Sequence, residues 1–450
     1  MSQTTLIKNA LLVNEGETRP ADMLVRGGRI ERIDPDIGAP PNAEIVDATG
    51  LHLLPGIIDD QVHFREPGLT HKGDIHSESR AAVAGGVTSF MEMPNTRPPT
   101  VTAAELEKKY AIGARNAASN YAFYFGATND NIESIRELDP ARVCGVKVFM
   151  GSSTGNMLVD DDDTLALIFR DAPVPITTHC ESTPLIERNL ERARQRFGAH
   201  IPVTEHPRIR DVEACYVSTE KATRLAREHG AQLHVLHLSS ARELELFEPG
   251  PVTGKSITCE TCIHFLHFTD ADYPTLGNRI KCNPAIKSER DRDGLIEGLK
   301  DGRIDIIATD HAPHTLEEKA LEDYEKAPAG LPLVQDLLLA GLELVHDRRL
   351  DLELLVTRMA HSPAQRFGVV DRGFLREGYW ADFVLVDLDG STEVTPQRVL
   401  SRCGWSPFDG WTFNARIHST RVNGALAFDG DSVLEHGASM PLEFTGRESR

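Results

Sequence analysis

The stretch PGIIDDQVHFREPG, Pro55 to Gly68, changes character in its middle. The first half is a short apolar run behind a proline–glycine break. The second half carries Asp59, Asp60, Gln61, His63 and Arg65. An apolar strand that ends in polar, ligand-type side chains suits the rim of a parallel barrel, where the working face lies at the strand C-termini. Residues two apart on a strand point the same way, so Gln61, His63 and Arg65 share one face.

Working outward, seven more runs of this kind follow: VTSFMEMP, YAFYFGA, VCGVKVFM, VPITTH, QLHVLH, KSITCE and IDIIATD. Helical patterns lie between them, including TAAELEKKYAIGARNAA and VEACYVSTEKATRLAREHG. Thr102 and Glu105 stand at capping-box spacing at the start of the first. Strands alternating with helices over roughly 320 residues predict an α/β chain of the (β/α)8, TIM-type barrel class. A doubly wound sheet competes with this, but it usually carries a Gly-rich phosphate turn after its first strand. None appears here.

The two ends have a different texture. TLIKNALLVN, ADMLVRGGRIERID and AEIVDA read as short strands, with Gly27-Gly28 as a hairpin turn. ADFVLVDLD, ARIHSTRVNGALAFDG and SVLEHG repeat the pattern near the C-terminus. The expectation is a small β-sandwich domain built from both termini, residues 1–53 and 372–450, around a catalytic barrel spanning 54–371.

The 450 residues carry a formal net charge of −20, which repels nucleic acid and anionic membranes. No apolar run approaches the ~20 residues of a membrane span, and the first residues lack the signature of a signal peptide. The seven cysteines are odd in number and dispersed, which fits a reducing, cytoplasmic setting and no disulfide framework.

Ligand-type side chains recur at the expected strand ends: Gln61, His63 and Arg65, then Asn95, Lys147, His179, His237 and Asp310. Imidazoles held at rigid strand ends suit zinc. Each histidine alone reads more readily as a structural residue, but together on one rim they read as a metal site. Lys147 is out of place among ligands, because its ammonium repels a cation. Either it is an ion-paired lysine, or its amine has taken up carbon dioxide as a carbamate that bridges metals. The apolar neighbours Val146, Val148 and Phe149 favour burial and an uncharged amine.

Other features carry less. Gly250 and Gly254-Lys255-Ser256 miss the P-loop spacing by one residue. Cys259 and Cys262 lack the second pair of a structural zinc site and read as buried thiols. Asp160–Asp163 reads as a solvated loop. His234, three before His237, faces away from it and does not read as a ligand. The polar segment from Thr315 to Lys326 reads as a lid or as a solvated loop.

These residues resemble the amidohydrolase superfamily, and within its cyclic amidase branch the dihydroorotase family most closely. VHFREPGLTHKGD, MPNTRPP, LHLSSARELE, KCNPAIKSERDRDGL, ATDHAPH, GYWADFVLVD and CGWSPFDG carry the resemblance over nearly the whole chain. It implies zinc, one or two ions, held by His63, His179, His237, Asp310 and an N6-carboxylated Lys147. It further implies that Asp310 shuttles the proton, that Arg65 and Asn95 grip a substrate carboxylate, and that Asn283, His314, Ala329 and Gly330 contact the ring. The implied reaction is reversible hydrolysis of L-dihydroorotate to N-carbamoyl-L-aspartate, in de novo pyrimidine biosynthesis. Hydantoinases, dihydropyrimidinases and allantoinases share the barrel and remain alternatives. Family habit implies a homodimer. Some members are inactive partners of aspartate transcarbamoylase, which matters because Gln61 stands where the family pattern has the first histidine of a His-x-His pair. A neutral amide oxygen is a weaker zinc ligand than imidazole. Every other expected position is filled, so Gln61 reads as a variant metal position in an active site.

Overall fold

The computed structural model describes residues 4–151 and 157–445. Its barrel strands, in chain order, are Ile57–Val62, Val87–Glu92, Asn120–Phe123 continuing into Phe125–Gly126, Val146–Phe149, Ile176–His179, Leu233–Val235, Ile257–Cys262 and Ile306–Ala308. All neighbouring pairs are parallel. The ring closes where Val62 bridges His311 and the His63 N–H donates to the His311 carbonyl at 2.7 Å. Asp59 clamps the same seam, accepting from the Thr309 hydroxyl at 2.5 Å and the Thr309 N–H at 3.2 Å.

Helices cover the outside, as a parallel sheet requires. Thr102 caps Ala103–Asn116, accepting from the Glu105 N–H. Asp161 caps Asp162–Asp171 in the same way, so the acidic run from Asp160 is largely a helix start and not a loop. The reason is local: carboxylates near a helix N-terminus meet unpaired N–H groups and the positive end of the dipole.

Strands from both ends of the chain share one eight-stranded sheet. Thr4–Asn14 pairs with Glu17–Arg26, Glu44–Asp47 and His52–Pro55, and His52–Pro55 pairs with Phe383–Asp387 from the far end of the chain. The chain leaves this sheet at Pro55 and enters the barrel at Ile57. Gly56 between them has no room for a side chain, since a Cβ would fall 2.1 Å from Thr88 Oγ1. Gly27 and Gly28, both at positive φ, turn the hairpin between Glu17–Arg26 and Arg29–Asp34. All seven cysteines are buried and unpaired. Among the described residues, no helix is long and apolar enough to cross a membrane.

Candidate active site

The strand ends surround a cavity of about 480 Å³. Gln61, His63, Arg65, Asn95, Lys147, His179, His237, Asn283, Asp310, His314, Ala329 and Gly330 all line it, so every residue singled out in the sequence arrives at one place. Arg65, His237 and Asp310 hold left-handed backbone angles, φ of 68°, 44° and 51°. Such geometry costs of order 1–3 kcal/mol per non-glycine residue and tends to gather where function fixes a side chain.

The hydrogen bonds fix the histidine tautomers. Asn95 Oδ1 lies 2.8 Å from His63 Nδ1, so Nδ1 carries the proton and donates. His63 Nε2 faces Asp310 Oδ1 at 3.0 Å. His179 Nε2 donates to Glu181 Oε2 at 2.9 Å, and Arg210 donates to the same oxygen. His179 Nδ1 is therefore an acceptor, and it faces His237 Nε2 at 3.0 Å. Three imidazoles and one carboxylate converging at the strand ends are ligand types that suit a divalent ion. Carboxylates and amides that hold the far side of an imidazole are the usual support of a metal-binding histidine. The donor set thus fits a divalent ion of the zinc type.

Lys147 is 1% exposed, and its Nζ lies 4.7 Å from the Phe149 ring centroid. Burial pushes its amine down to about 8. Burial alone would raise the Asp310 carboxyl, but the His63 hydrogen bond and the surrounding imidazoles outweigh it and hold it down at about 2. Gln61 turns its amide nitrogen to Asp310 Oδ1 at 3.1 Å, while its oxygen faces Cys262 Sγ at 3.8 Å. In this rotamer it is a donor to the acid.

The other end of the cavity is cationic. Arg65 is buried, its Nε donating to the Pro313 carbonyl and its Nη2 lying 3.2 Å from His314 Nε2. Lys72 and Arg97 also line the cavity, and Asp310 is the one carboxylate among the described lining residues. The sequence reading missed Lys72, Arg97 and Glu181. Glu181 was within reach of it, because in HCE it follows His179 by two. Lys72 and Arg97 come from loops, where strand periodicity says nothing. His311 of TDHAPH points away from the cavity, bonding Glu78 through Nε2 and accepting the N–H groups of Leu333 and Val334 at Nδ1. The segment after Thr315 is tied down: Lys319 Nζ donates to the carbonyls of Lys281, Pro328 and Gly330, and Lys281 Nζ to those of Tyr324 and Ala327.

A barrel of this form, with histidines, a buried lysine and an aspartate around one cavity, defines a class of metal-dependent hydrolases, and comparison with known proteins agrees. The amidohydrolase family pattern matches residues 52–427. An allantoinase of Deinococcus radiodurans is 34% identical over 99% of this chain and 97% of its own. A dihydroorotase of Halobacterium salinarum is 36% identical over 92% of this chain and 96% of its own. The solved L-hydantoinase (dihydropyrimidinase) of Arthrobacter aurescens superposes with a TM-score of 0.93 at 28% identity, covering 98% of this chain and 100% of that one. The chain belongs to the amidohydrolase family, in its cyclic amidase branch.

Proposed function

We propose that the chain opens the ring amide of L-dihydroorotate to N-carbamoyl-L-aspartate, and runs the reverse closure. The observation that carries this reading is the charge of the cavity. Arg65, Lys72 and Arg97 stand on its wall away from Asp310, with no acid beside them among the described lining residues. Lys72 is paired with Glu318 at 3.0 Å, while a ring that bears a carboxylate supplies a counter-charge to the buried Arg65 that a neutral ring does not. The rival is allantoin, favoured by the close relative of that name.

His63, His179, His237 and Asp310 would hold zinc, one or two ions, with Lys147 as a bridging carbamate. That carbamate forms as the neutral Lys147 Nζ bonds the carbon of carbon dioxide and releases one N–H proton. Gln61 would join the ligands only weakly, through its oxygen, after its amide turns over. When bound, the metal supplies an acidified water as nucleophile and polarises the ring carbonyl. Asp310 accepts the proton of that water and delivers it to the ring nitrogen as the C–N bond breaks. The Pro313 carbonyl fixes the Arg65 guanidinium through Nε, so the rest of its fork meets the carboxylate in a set orientation. The Asn95 oxygen is taken by His63, which leaves its amide N–H groups for the same carboxylate. Ala329 and Gly330, held by Lys319 and His314, offer backbone groups to the ring.

The test is a substrate panel on the purified chain with zinc and bicarbonate: dihydroorotate, allantoin and an unsubstituted hydantoin. Dihydroorotate is expected to give the highest kcat/KM by tenfold or more. A preference for allantoin would transfer the reading to the rival. A folded, zinc-loaded chain that opens none of the rings would make it a non-catalytic member.

A further inference from the structure

One layer below the cavity, inside the barrel, Asp60, His234 and Glu260 meet with 0% exposure each. They come from the first, sixth and seventh barrel strands. Their nearest ligand-type atoms all lie within 4.8 Å of one another. His234 Nδ1 lies 2.8 Å from Thr258 Oγ1, and that hydroxyl sends its own proton to the Leu233 carbonyl. With Nδ1 donating to that oxygen, Nε2 is open to a ligand role. It lies 3.1 Å from Glu260 Oε2 and 3.5 Å from Asp60 Oδ2. No donor among the described residues reaches either oxygen of Asp60. A fully buried carboxylate without a donor is expensive. Two carboxylates and an imidazole nitrogen that converge in a sealed interior need positive charge at their centre.

The geometry points to a second divalent-metal site, closed and structural, of the zinc type, held by Asp60, His234 Nε2 and Glu260 inside the barrel. Ligand atoms about 2.1 Å from a tetrahedral ion lie about 3.4 Å apart, and the two distances from His234 bracket that value. One imidazole and two carboxylates suit zinc and its neighbours better than calcium or magnesium, which prefer oxygen alone. Asp60, with both oxygens uncommitted, can chelate through both. Thr258 supplies the outer support that such a histidine normally has. The Glu260 Oε1 atom accepts the His237 N–H at 3.3 Å, so an ion here would brace the strand end that carries His237 into the cavity.

The deciding measurement is anomalous diffraction from crystals of the zinc-loaded protein, recorded on both sides of the zinc edge. A peak bounded by Asp60, His234 and Glu260 is the expected result, whether or not the cavity site is filled. A filled cavity site with no interior peak overturns the proposal and leaves a shared proton as the charge that binds the three side chains. An interior peak with an empty cavity site upholds it and counts against zinc chemistry in the cavity. In solution, Asp60→Leu, an apolar side chain of similar shape, is expected to lose one zinc per chain by elemental analysis. Unchanged stoichiometry in the folded variant overturns the proposal, and should the variant not fold, the diffraction result on the parent chain decides alone.

Discussion

The rim of the barrel and its lumen one layer down are built from the same materials. Each holds a histidine with one nitrogen tied to a partner and the other 3.0–3.5 Å from carboxylate oxygen. They differ in what surrounds them. The rim cluster opens on a cavity lined by Arg65, Lys72 and Arg97, while the lumen cluster is sealed among Ile58, Met91, Tyr124 and Leu236. Both are sets of metal-ligand types. Only the rim has room for a substrate beside it. Chemistry therefore follows from the access and charge around a ligand set, and not from the ligand set alone.

The largest effect that tests this contrast is at Asp310. Asp310→Asn removes the proton carrier and keeps the shape, so kcat is expected to fall by about 10³ with the fold intact. Steady-state kinetics beside a circular dichroism melt check it, and a loss under tenfold would deny Asp310 the proton step. Next is Arg65→Lys, which keeps the charge and loses the planar fork. KM for a carboxylate-bearing ring is expected to rise about 10–100-fold, with kcat less affected. An equal change for a neutral ring would mean that Arg65 does not read the carboxylate.

A smaller effect is expected at Gln61. Gln61→His puts an imidazole in place of an amide that now donates to Asp310. Zinc retained after dialysis is expected to rise in the variant, because imidazole binds zinc more tightly than an amide oxygen does. Competitive titration against a chelator measures this. Equal retention in both chains would mean that Gln61 already serves as an adequate ligand, or that its position takes no metal at all. The lumen site is expected to be unmoved by this change, which separates the two clusters in one experiment.

The barrel and its rim were legible in the sequence because both rest on short-range periodicity. An apolar strand that ends in a ligand residue states its own direction, and the chain repeats that statement from Gln61 and His63 through to Asp310. The lumen cluster was not legible. Asp60 sits beside Gln61 and His234 three before His237, but the side of the strand that faces inward below the rim depends on strand tilt and barrel stagger. His234 was rightly separated from His237, and its other partners could not be named. Lys72 and Arg97 reach the cavity from loops, and the chain ends join through the pairing of His52–Pro55 with Phe383–Asp387, where Leu53 lies opposite Leu385. Long-range register of that kind has no local signal.

The smallest effect concerns a histidine that belongs to neither cluster, and it serves as the control. His267 has its lone pairs and protons properly matched: Nε2–H donates to the Ala340 carbonyl at 2.9 Å, and the ring packs edge-on against Phe408 and Trp411. No carboxylate faces it across a bare nitrogen, so it should respond to protons and ignore metal. Burial pushes its imidazole down to about 4, the Ala340 hydrogen bond offsetting only part of that. The unfolded chain has an ordinary histidine near 6.5. Between those values the unfolded state binds the extra proton, so stability is present above about pH 6.5 and is lost as the pH falls toward 4. His267→Gln keeps an N–H for Ala340 and removes the titration. Urea unfolding of the two chains between pH 7 and 4.5 is expected to show the parent losing about 1–2 kcal/mol more than the variant, with zinc making no difference to that gap. A gap that zinc closes would put His267 among the metal-responsive histidines, and matched lone pairs would then no longer tell a structural imidazole from a ligand.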